Sequence, residues 1–178
     1  MHIRKIMMAA SVAGASFLGA PAAVATSLVK QDFDEMARNA NVCVIATAVS
    51  TKSAVRDGAP VTETVFTVDD VAFGSPARTI TVVSDGGRIP NAKAPMAEVV
   101  AGAPRFFSGG SSLLLLTERS DGAYGVVNFS QGVFPVVETV EGASVTLPAS
   151  AGGVTAVDTA LDAARNARNA ADAPTMDE

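Results

Sequence analysis

Histidine and cysteine, which often carry catalysis or bind metals, are almost missing from this sequence. The one histidine is His2, and the one cysteine is Cys43. His2 falls in an N-terminal segment that we expect to be removed. The mature chain then has no imidazole for a Ser-His-Asp triad, a general base or a metal site. A lone cysteine excludes an intramolecular disulfide and a thiolate zinc site. We therefore predict a protein without enzyme activity, metal or cofactor, in which Cys43 is a small buried core residue.

Carboxylates could still support acid–base chemistry, because they need no histidine. Asp69 and Asp70 are adjacent, and Glu98 and Glu118 follow further along the chain. Neighbouring strand residues point to opposite faces unless a bulge intervenes, so we interpret the aspartate pair as a solvated β-bulge. A carboxylate-based hydrolase is the alternative, and it requires at least two of these four side chains to share one pocket.

The N-terminus has the pattern of an export signal. Arg4 and Lys5 precede an apolar segment, and Ala23-Val24-Ala25 fits a signal-peptidase site. We predict that residues 1–25 are removed and that the mature chain begins at Thr26. The expected location is the periplasm or the outside of the cell.

Charge narrows the choice of partner. The chain has 13 basic and 18 acidic residues. Arg4 and Lys5 belong to the signal and no acidic residue does, which leaves 11 basic against 18 acidic residues and a net charge of −7. An acidic chain without a basic cluster lacks the electrostatic footprint of a nucleic-acid-binding protein, so we predict no nucleic-acid partner. No segment after the signal reaches the length of a membrane helix, so we also expect no membrane span after cleavage.

The clearest strands surround a run of four leucines. Leu113–Leu116 lies between turn residues, which is typical of a strand buried on both faces. Asp121-Gly122 predicts a hairpin turn. Two further strands are predicted at Tyr124–Phe129 and Val133–Val137, with Pro135 at an edge or a bulge.

The patterns before this region predict a helix and three strands. The helix covers residues 27–40, where Asp32 and Glu35 resemble a capping box. Alternating or continuous apolar residues then predict a series of strands and connections. These are a strand at Val42–Val49, a turn at 50–60, strands at Val61–Phe73 and Arg78–Val83, and a loop at Ser84–Ala103 with a helical turn near Pro95–Val99.

These elements predict an all-β fold. A small five- or six-stranded OB-like barrel with a short N-terminal helix fits the order of the strands over residues 26–148. Residues 149–178 are predicted to be a linker and a weakly structured helical tail, either solvated or disordered, because few large apolar residues occur there. A β-sandwich is the alternative architecture.

The order of motifs resembles an uncharacterised family of secreted bacterial β-domain proteins. The matching motifs include Gly102-Ala103-Pro104-Arg105-Phe106 and the pattern Y-x-V-V-x-x-x-Q-G-x-F-x-V beginning at Tyr124. The first half of the chain also resembles the netrin-type module, an OB-like barrel found in metalloprotease inhibitors. That resemblance implies a secreted or periplasmic protease as the partner. Those inhibitors use an N-terminal cysteine held by disulfides, which a chain with Cys43 alone does not reproduce.

Four residues of these motifs are candidate binding residues: Arg105, Phe106, Gln131 and Gly132. A guanidinium on a loop beside a barrel can bind a carboxylate of a partner. The alternative is that Arg105 caps loop carbonyls while Phe106 and Phe107 fill the core. Our hypothesis is an exported, non-enzymatic β-domain that acts through protein contacts. The other alternative functions are the carboxylate-based hydrolase and a barrel that binds a small apolar ligand.

Overall fold

The computed structural model describes residues 30–90 and 95–172. The predicted signal peptide lies outside this part of the chain. Within it, no helix is both long and apolar enough to cross a membrane. The elements follow in the order α1 (Phe33–Asn39), β1 (Val42–Arg56), β2 (Ala59–Phe73), β3 (Thr79–Asp85), β4 (Gly87–Ile89), β5 (Met96–Glu98), β6 (Ser111–Glu118), β7 (Tyr124–Val126), β8 (Val133–Thr139), β9 (Gly142–Thr146), β10 (Val154–Ala156) and α2 (Val157–Asp172).

Five of the described strands form a closed ring. Their order is β1-β2-β3-β7-β6, and β6 pairs again with β1 to close it. The pair β3–β7 is parallel, whereas the other pairs in the ring are antiparallel. β8, β9 and β10 continue the sheet outward from β6. The predicted small OB-like barrel is therefore confirmed, and ring closure distinguishes it from the sandwich alternative.

The four leucines of β6 separate two hydrophobic cores. Leu114 and Leu116 point into the barrel, where they contact Phe66 and Val82. Leu113 and Leu115 point to the other face of β6, into an outer core beneath α1, α2 and β8. All four leucines are 0% exposed. The prediction of a strand buried on both faces is confirmed, and it follows from the alternation of side chains along a strand.

β1 and β2 form a longer hairpin than the sequence pattern predicts. Residues 50–56, predicted to lie in the turn, continue β1 and pair with β2 as far as Arg56 opposite Ala59. The turn itself is Asp57-Gly58, and both residues have positive φ (52° and 80°). This two-residue turn matches the twist of the strands, so no longer loop is needed. The bulge predicted at Asp69-Asp70 is confirmed, because the register skips Asp69 and both side chains are exposed.

The predicted loop at Ser84–Ala103 contains a small antiparallel hairpin. β4 and β5 pair with each other, and residues 91–94 between them lie outside the described part. The helical turn predicted near Pro95–Val99 is wrong, because Met96–Glu98 is a strand. Gly86 and Gly87 allow β4 to lie close to its neighbours. A Cβ at Gly87 would be 2.8 Å from the carbonyl oxygen of Val61, and Gly86 has φ +84°.

The strand predicted at Tyr124–Phe129 is shorter in the structure. β7 ends at Val126, and Asn128 and Phe129 then have positive φ (49° and 57°). The chain next forms a 3-10 turn at Phe129–Gly132 and enters β8. Pro135 is the last β8 residue paired with β6, and its successor is the first paired with β9. The proline therefore lies where β8 changes partner.

One face of α2 is buried in the outer core. Ala160, Leu161 and Ala164 are at most 1% exposed. Arg165 donates from Nε to the carbonyl oxygen of Ala72 and from Nη2 to that of Val71, both at 3.0 Å. The predicted C-terminal helix is present, but the expectation that it is solvated is wrong for this face. The predicted boundary between residues 148 and 149 therefore falls inside one continuous core.

α1 packs beside α2 on the same outer core. The helix begins at Phe33, because Asp32 has extended backbone angles (φ −74°, ψ 152°). The capping box predicted for Asp32 and Glu35 is wrong: within the described residues, the Asp32 side chain forms no capping hydrogen bond. Glu35 instead accepts a hydrogen bond from Gln31 Nε2 at 3.2 Å.

Candidate functional site

An open groove of about 410 Å³ lies between the β4–β5 hairpin and the segment that leads to β6. We call it the β4–β5 groove. Gly86–Arg88, Ala97–Val100 and Ala103–Phe107 supply most of its lining. Two of the four predicted binding residues, Arg105 and Phe106, are among these, so the structure places half of the predicted site here.

Three consecutive residues of the groove alternate between solvent and core. Arg105 and Phe107 are exposed, whereas Phe106 is half-buried between them. The Phe106 ring packs edge-on against Phe66 of the barrel interior, with centroids 4.9 Å apart and planes at 88°. Edge-to-face contacts of this kind stabilise aromatic pairs. Phe106 therefore closes this end of the barrel, as the core-filling alternative expected. The same alternative is wrong for Phe107, whose side chain faces outward.

Phe107 is held at the surface by a turn bonded to β1. Gly110 N–H donates to the Phe107 carbonyl oxygen at 3.0 Å, and Gly109 N–H donates to the Ala48 carbonyl oxygen at 2.7 Å. Ala48 N–H in turn donates to the Gly110 carbonyl oxygen at 2.9 Å. Phe107 is nevertheless 78% exposed, and Val99, which also lines the groove, is 80% exposed.

The rim of the groove carries charges of both signs. Arg88 and Arg105 supply two guanidinium groups, and Asp85 and Glu98 supply two carboxylates. All four side chains are exposed, and none of them forms an ion pair with another described residue. Their charges therefore remain available to a binding partner.

Gln131 and Gly132, the other two predicted binding residues, do not line the groove. They end the 3-10 turn at Phe129–Gly132, where Gln131 Oε1 accepts a hydrogen bond from the Gln31 N–H at 3.2 Å. Gly132 is buried, and a Cβ there would be only 2.5 Å from the Val127 carbonyl oxygen. The backbone approaches too closely for any side chain at Gly132, and the binding role predicted for Gln131 and Gly132 stays a prediction.

A second cleft, of about 260 Å³, lies between β3 and β7, and we call it the β3–β7 cleft. Val83, Ser84 and Asp85 line one wall, and Val126 and Phe129 contribute to the other. The Ser84 hydroxyl is buried and has no hydrogen-bond partner within residues 30–90 and 95–172. A buried polar atom without a partner is costly, and such atoms occur at functional sites.

Sequence reasoning did not identify the β3–β7 cleft. A usable signal was present: Ile80, Val82 and Ser84 alternate on β3, so a hydroxyl occupies a position where an apolar side chain is expected. Positive φ at Phe129 is unusual for an aromatic residue and is not visible in the sequence. Strained backbone of this kind is concentrated at functional sites.

An ion-pair network joins the β1–β2 hairpin to the turn after β6. Glu63 pairs with Lys52 at 3.0 Å and with Arg56 at 2.7 Å. Arg56 also binds Asp121, which lies 3.8 Å from Arg119 Nε. Hydrogen bonds from Lys52 and then Arg56 lower the pKa of Glu63. The backbone hydrogen bond from Ala123 is the largest cause that lowers the pKa of Asp121.

The four carboxylates of the hydrolase alternative are not gathered at the groove. Of these four, Glu98 is the one that lines the groove. Asp69 accepts a hydrogen bond from Thr47 Oγ1 at 2.6 Å, and Asp70 accepts one from the Val71 N–H at 2.7 Å. In the described part of the chain, no three His, Cys, Asp or Glu side chains are placed to hold a metal ion.

Cys43 is 0% exposed in the outer core, which confirms the prediction of a small buried core residue. Burial raises the pKa of its thiol to about 12, an effect that the nearby positive charge of Arg165 opposes. Since the thiolate is the nucleophile, we expect this buried cysteine to react slowly in the folded protein.

Comparison with known proteins adds no family assignment: no family model, curated protein or solved structure matches this chain.

Proposed function

We propose that this protein is an exported, non-enzymatic β-domain that binds another protein through the β4–β5 groove. One observation carries the proposal: Val99 and Phe107, 80% and 78% exposed, line the same groove above the half-buried Phe106. Large apolar side chains that are exposed together and surrounded by polar residues are typical of protein-interaction sites.

The groove offers both apolar and charged side chains, which favours a protein partner whose surface carries both kinds of residue. Aromatic residues and arginine are enriched at protein interfaces and often supply most of the binding energy. Phe107 offers an aromatic anchor, and Arg105 offers a guanidinium that can bind a carboxylate through two parallel hydrogen bonds. A secreted or periplasmic protease is the partner class suggested by the netrin-type resemblance.

The two alternative functions receive less support from the geometry. Phe66 and Leu114 are 0% exposed and fill the barrel interior where an apolar ligand would have to bind. A hydrolase would need a second carboxylate beside Glu98, and in the groove that residue is Asp85. Both side chains are exposed, whereas carboxylates used in acid–base catalysis commonly depend on burial or close partners.

A photo-crosslinking residue at position 107 tests the proposal directly. The full chain is expressed in its own cells with benzoylphenylalanine replacing Phe107, and a second strain carries the same residue in place of Val140. Val140 is fully exposed at the tip of the β8–β9 hairpin, outside the groove. We expect a discrete crosslinked protein from position 107 only, and Arg105→Ala should reduce its yield without lowering the melting temperature.

Two outcomes would contradict the proposal. Equal adducts from positions 107 and 140, or no adduct from either, would remove the groove as a protein-binding surface. N-terminal sequencing of the exported chain tests the other half of the proposal, because processing should expose Thr26.

A further inference from the structure

The barrel wall is incomplete between β3 and β7. The two strands share a single residue pair, Val82 with Tyr124. β3 continues for three more residues, Val83–Asp85, whose residue partners among the described strands lie in β2. The β3–β7 cleft is lined by these three residues, so it lies where the two strands separate.

The β3 backbone presents hydrogen-bonding groups to this cleft. Along an antiparallel strand, the N–H and C=O of successive residues point alternately toward and away from the partner strand. Gly86 N–H donates to the Pro60 carbonyl oxygen at 3.0 Å, which shows that Gly86 points toward β2. By alternation Ser84 also points toward β2, whereas the groups of Val83 and Asp85 point away from it. The parallel bridge of Val82 with Tyr124 uses the Val83 N–H, so the Val83 C=O and the N–H and C=O of Asp85 are the groups that face the cleft. A strand edge of this kind is the site to which an extended peptide can add.

Side-chain chemistry at the same place fits a peptide main chain. The Ser84 hydroxyl, only 4% exposed, lines the cleft and has no hydrogen-bond partner among the described residues. A bound main chain would bring N–H and C=O groups within reach of this hydroxyl. Pro104, Val126 and Phe129 provide an apolar wall against which a side chain of the peptide can pack.

The charges favour an acidic segment. Asp85 and Pro104 line both the cleft and the β4–β5 groove. Together the two cavities are lined by three arginines and two carboxylates, in a chain whose formal net charge is −5. These charged residues are Arg88, Arg105, Arg119, Asp85 and Glu98. Arg119 lies 3.8 Å from Asp121, whereas Arg88 and Arg105 form no ion pair with a described residue.

We propose that the partner enters the β3–β7 cleft as an extended segment with acidic and apolar residues, which adds a strand to the β3 edge at Val83–Asp85. This inference rests on the proposed function, because it describes how a protein bound at the groove continues along the barrel. It adds main-chain recognition to the side-chain contacts of Phe107 and Arg105.

Heptapeptides selected from a displayed random library against the full chain are the probe. Asp85→Pro removes the N–H that points to the cleft and leaves the pairing with β2, whereas Asp85→Ala removes only the carboxylate. We expect the peptides to be rich in Asp and Glu and to bind Asp85→Pro about tenfold more weakly, the effect of one lost hydrogen bond. Asp85→Ala should bind at least as tightly as the unmodified protein, because a negative charge is removed.

N-methylated peptides provide a second measurement that needs no variant of the protein. Methylation removes one peptide N–H at a time, and in an added strand only alternate residues bond to the β3 edge. Methylation at alternate positions should therefore weaken binding at least tenfold, and methylation at the intervening positions should have little effect.

Three results would overturn the inference: no selected peptide, equal binding to Asp85→Pro in its folded form, or equal sensitivity at every methylated position. None of them alters the crosslinking result at position 107. Failure of strand addition is therefore distinguishable from failure of the proposed function.

Discussion

Arg168 of α2 donates a hydrogen bond from Nη1 to the carbonyl oxygen of Arg38 in α1, at 2.6 Å. The same atom lies 3.2 Å from the carbonyl oxygen of Ala40. The last carbonyl groups of a helix have no partner within it, and a cation there also interacts favourably with the helix dipole. One guanidinium thus satisfies the end of α1 and fixes α2 beside it.

Replacing Arg168 should therefore destabilise the protein. We expect Arg168→Ala to lower the free energy of unfolding by about 1–3 kcal/mol, the cost of losing charge-assisted hydrogen bonds to partly buried carbonyls. Urea denaturation followed by circular dichroism measures the change. Asn169→Ala, at the exposed neighbouring position, is the control and should change it by less than about 0.5 kcal/mol. Equal effects of the two substitutions would contradict the role of Arg168.

The Glu63 network should make stability depend on pH. Its partners Lys52 and Arg56 lower the pKa of Glu63 in the folded protein relative to the unfolded chain. The stabilisation is therefore fully present above the unfolded pKa and is lost as the pH falls through the folded pKa. Glu63→Gln should lower the urea midpoint at neutral pH and leave it unchanged below the folded pKa.

A surface carboxylate outside this network is the matched control. Glu138 is exposed on β8 and forms no ion pair with the described residues. Glu138→Gln should have the same urea midpoint as the unmodified protein, both at neutral pH and below the folded pKa of Glu63. A Glu63→Gln variant that does the same would show that the network contributes nothing to stability.

Gly132 should not accept a side chain. Its Cβ would lie 2.5 Å from the Val127 carbonyl oxygen and 3.0 Å from Val126 Cγ1, so the backbone must move. We expect Gly132→Ala to cost about 1–3 kcal/mol of stability, the usual effect of overpacking. Gly125→Ala is the control, since its nearest neighbour would be Thr117 Oγ1 at an ordinary 3.5 Å. Similar melting temperatures for the two variants would refute the argument from crowding.

Cys43 should react with thiol reagents only when the protein unfolds. Burial raises the pKa of its thiol to about 12, so little thiolate is present at neutral pH. Labelling with dithiobis(nitrobenzoate) should be slow in buffer and accelerate with urea in step with unfolding. Val140→Cys, at an exposed position, should add one thiol that reacts at once. A Cys43 rate that is independent of urea would mean that the thiol is accessible in the native state.

The sequence predicts the barrel well where large side chains make the pattern. Leu113–Leu116 and the apolar alternation of β3 indicate buried strands, and both are present in the structure. The buried face of α2 is lined mainly by alanines, which leave no strong apolar pattern, and its arginines bond to backbone carbonyls far along the chain. Such contacts depend on tertiary structure and cannot be predicted from local propensity.

The candidate site was harder to predict than the fold. Arg105 and Phe106 were found because the loop that carries them is distinctive in sequence. Gly132 has a structural reason to be glycine, since a Cβ there would lie 2.5 Å from the Val127 carbonyl oxygen. Gln131 precedes it in the same 3-10 turn. The β3–β7 cleft arises where two strands stop pairing, and a loss of pairing has no signature in either strand alone.

Because β6 is shared by both hydrophobic cores, neither core can open while the other stays intact. Opening the strand to solvent would expose Leu114 and Leu116 on one side and Leu113 and Leu115 on the other. The amides of these residues should therefore exchange with deuterium only through global unfolding, more slowly than those of the peripheral β8–β9 hairpin. Unfolding should consequently be a single cooperative transition for barrel and helices together.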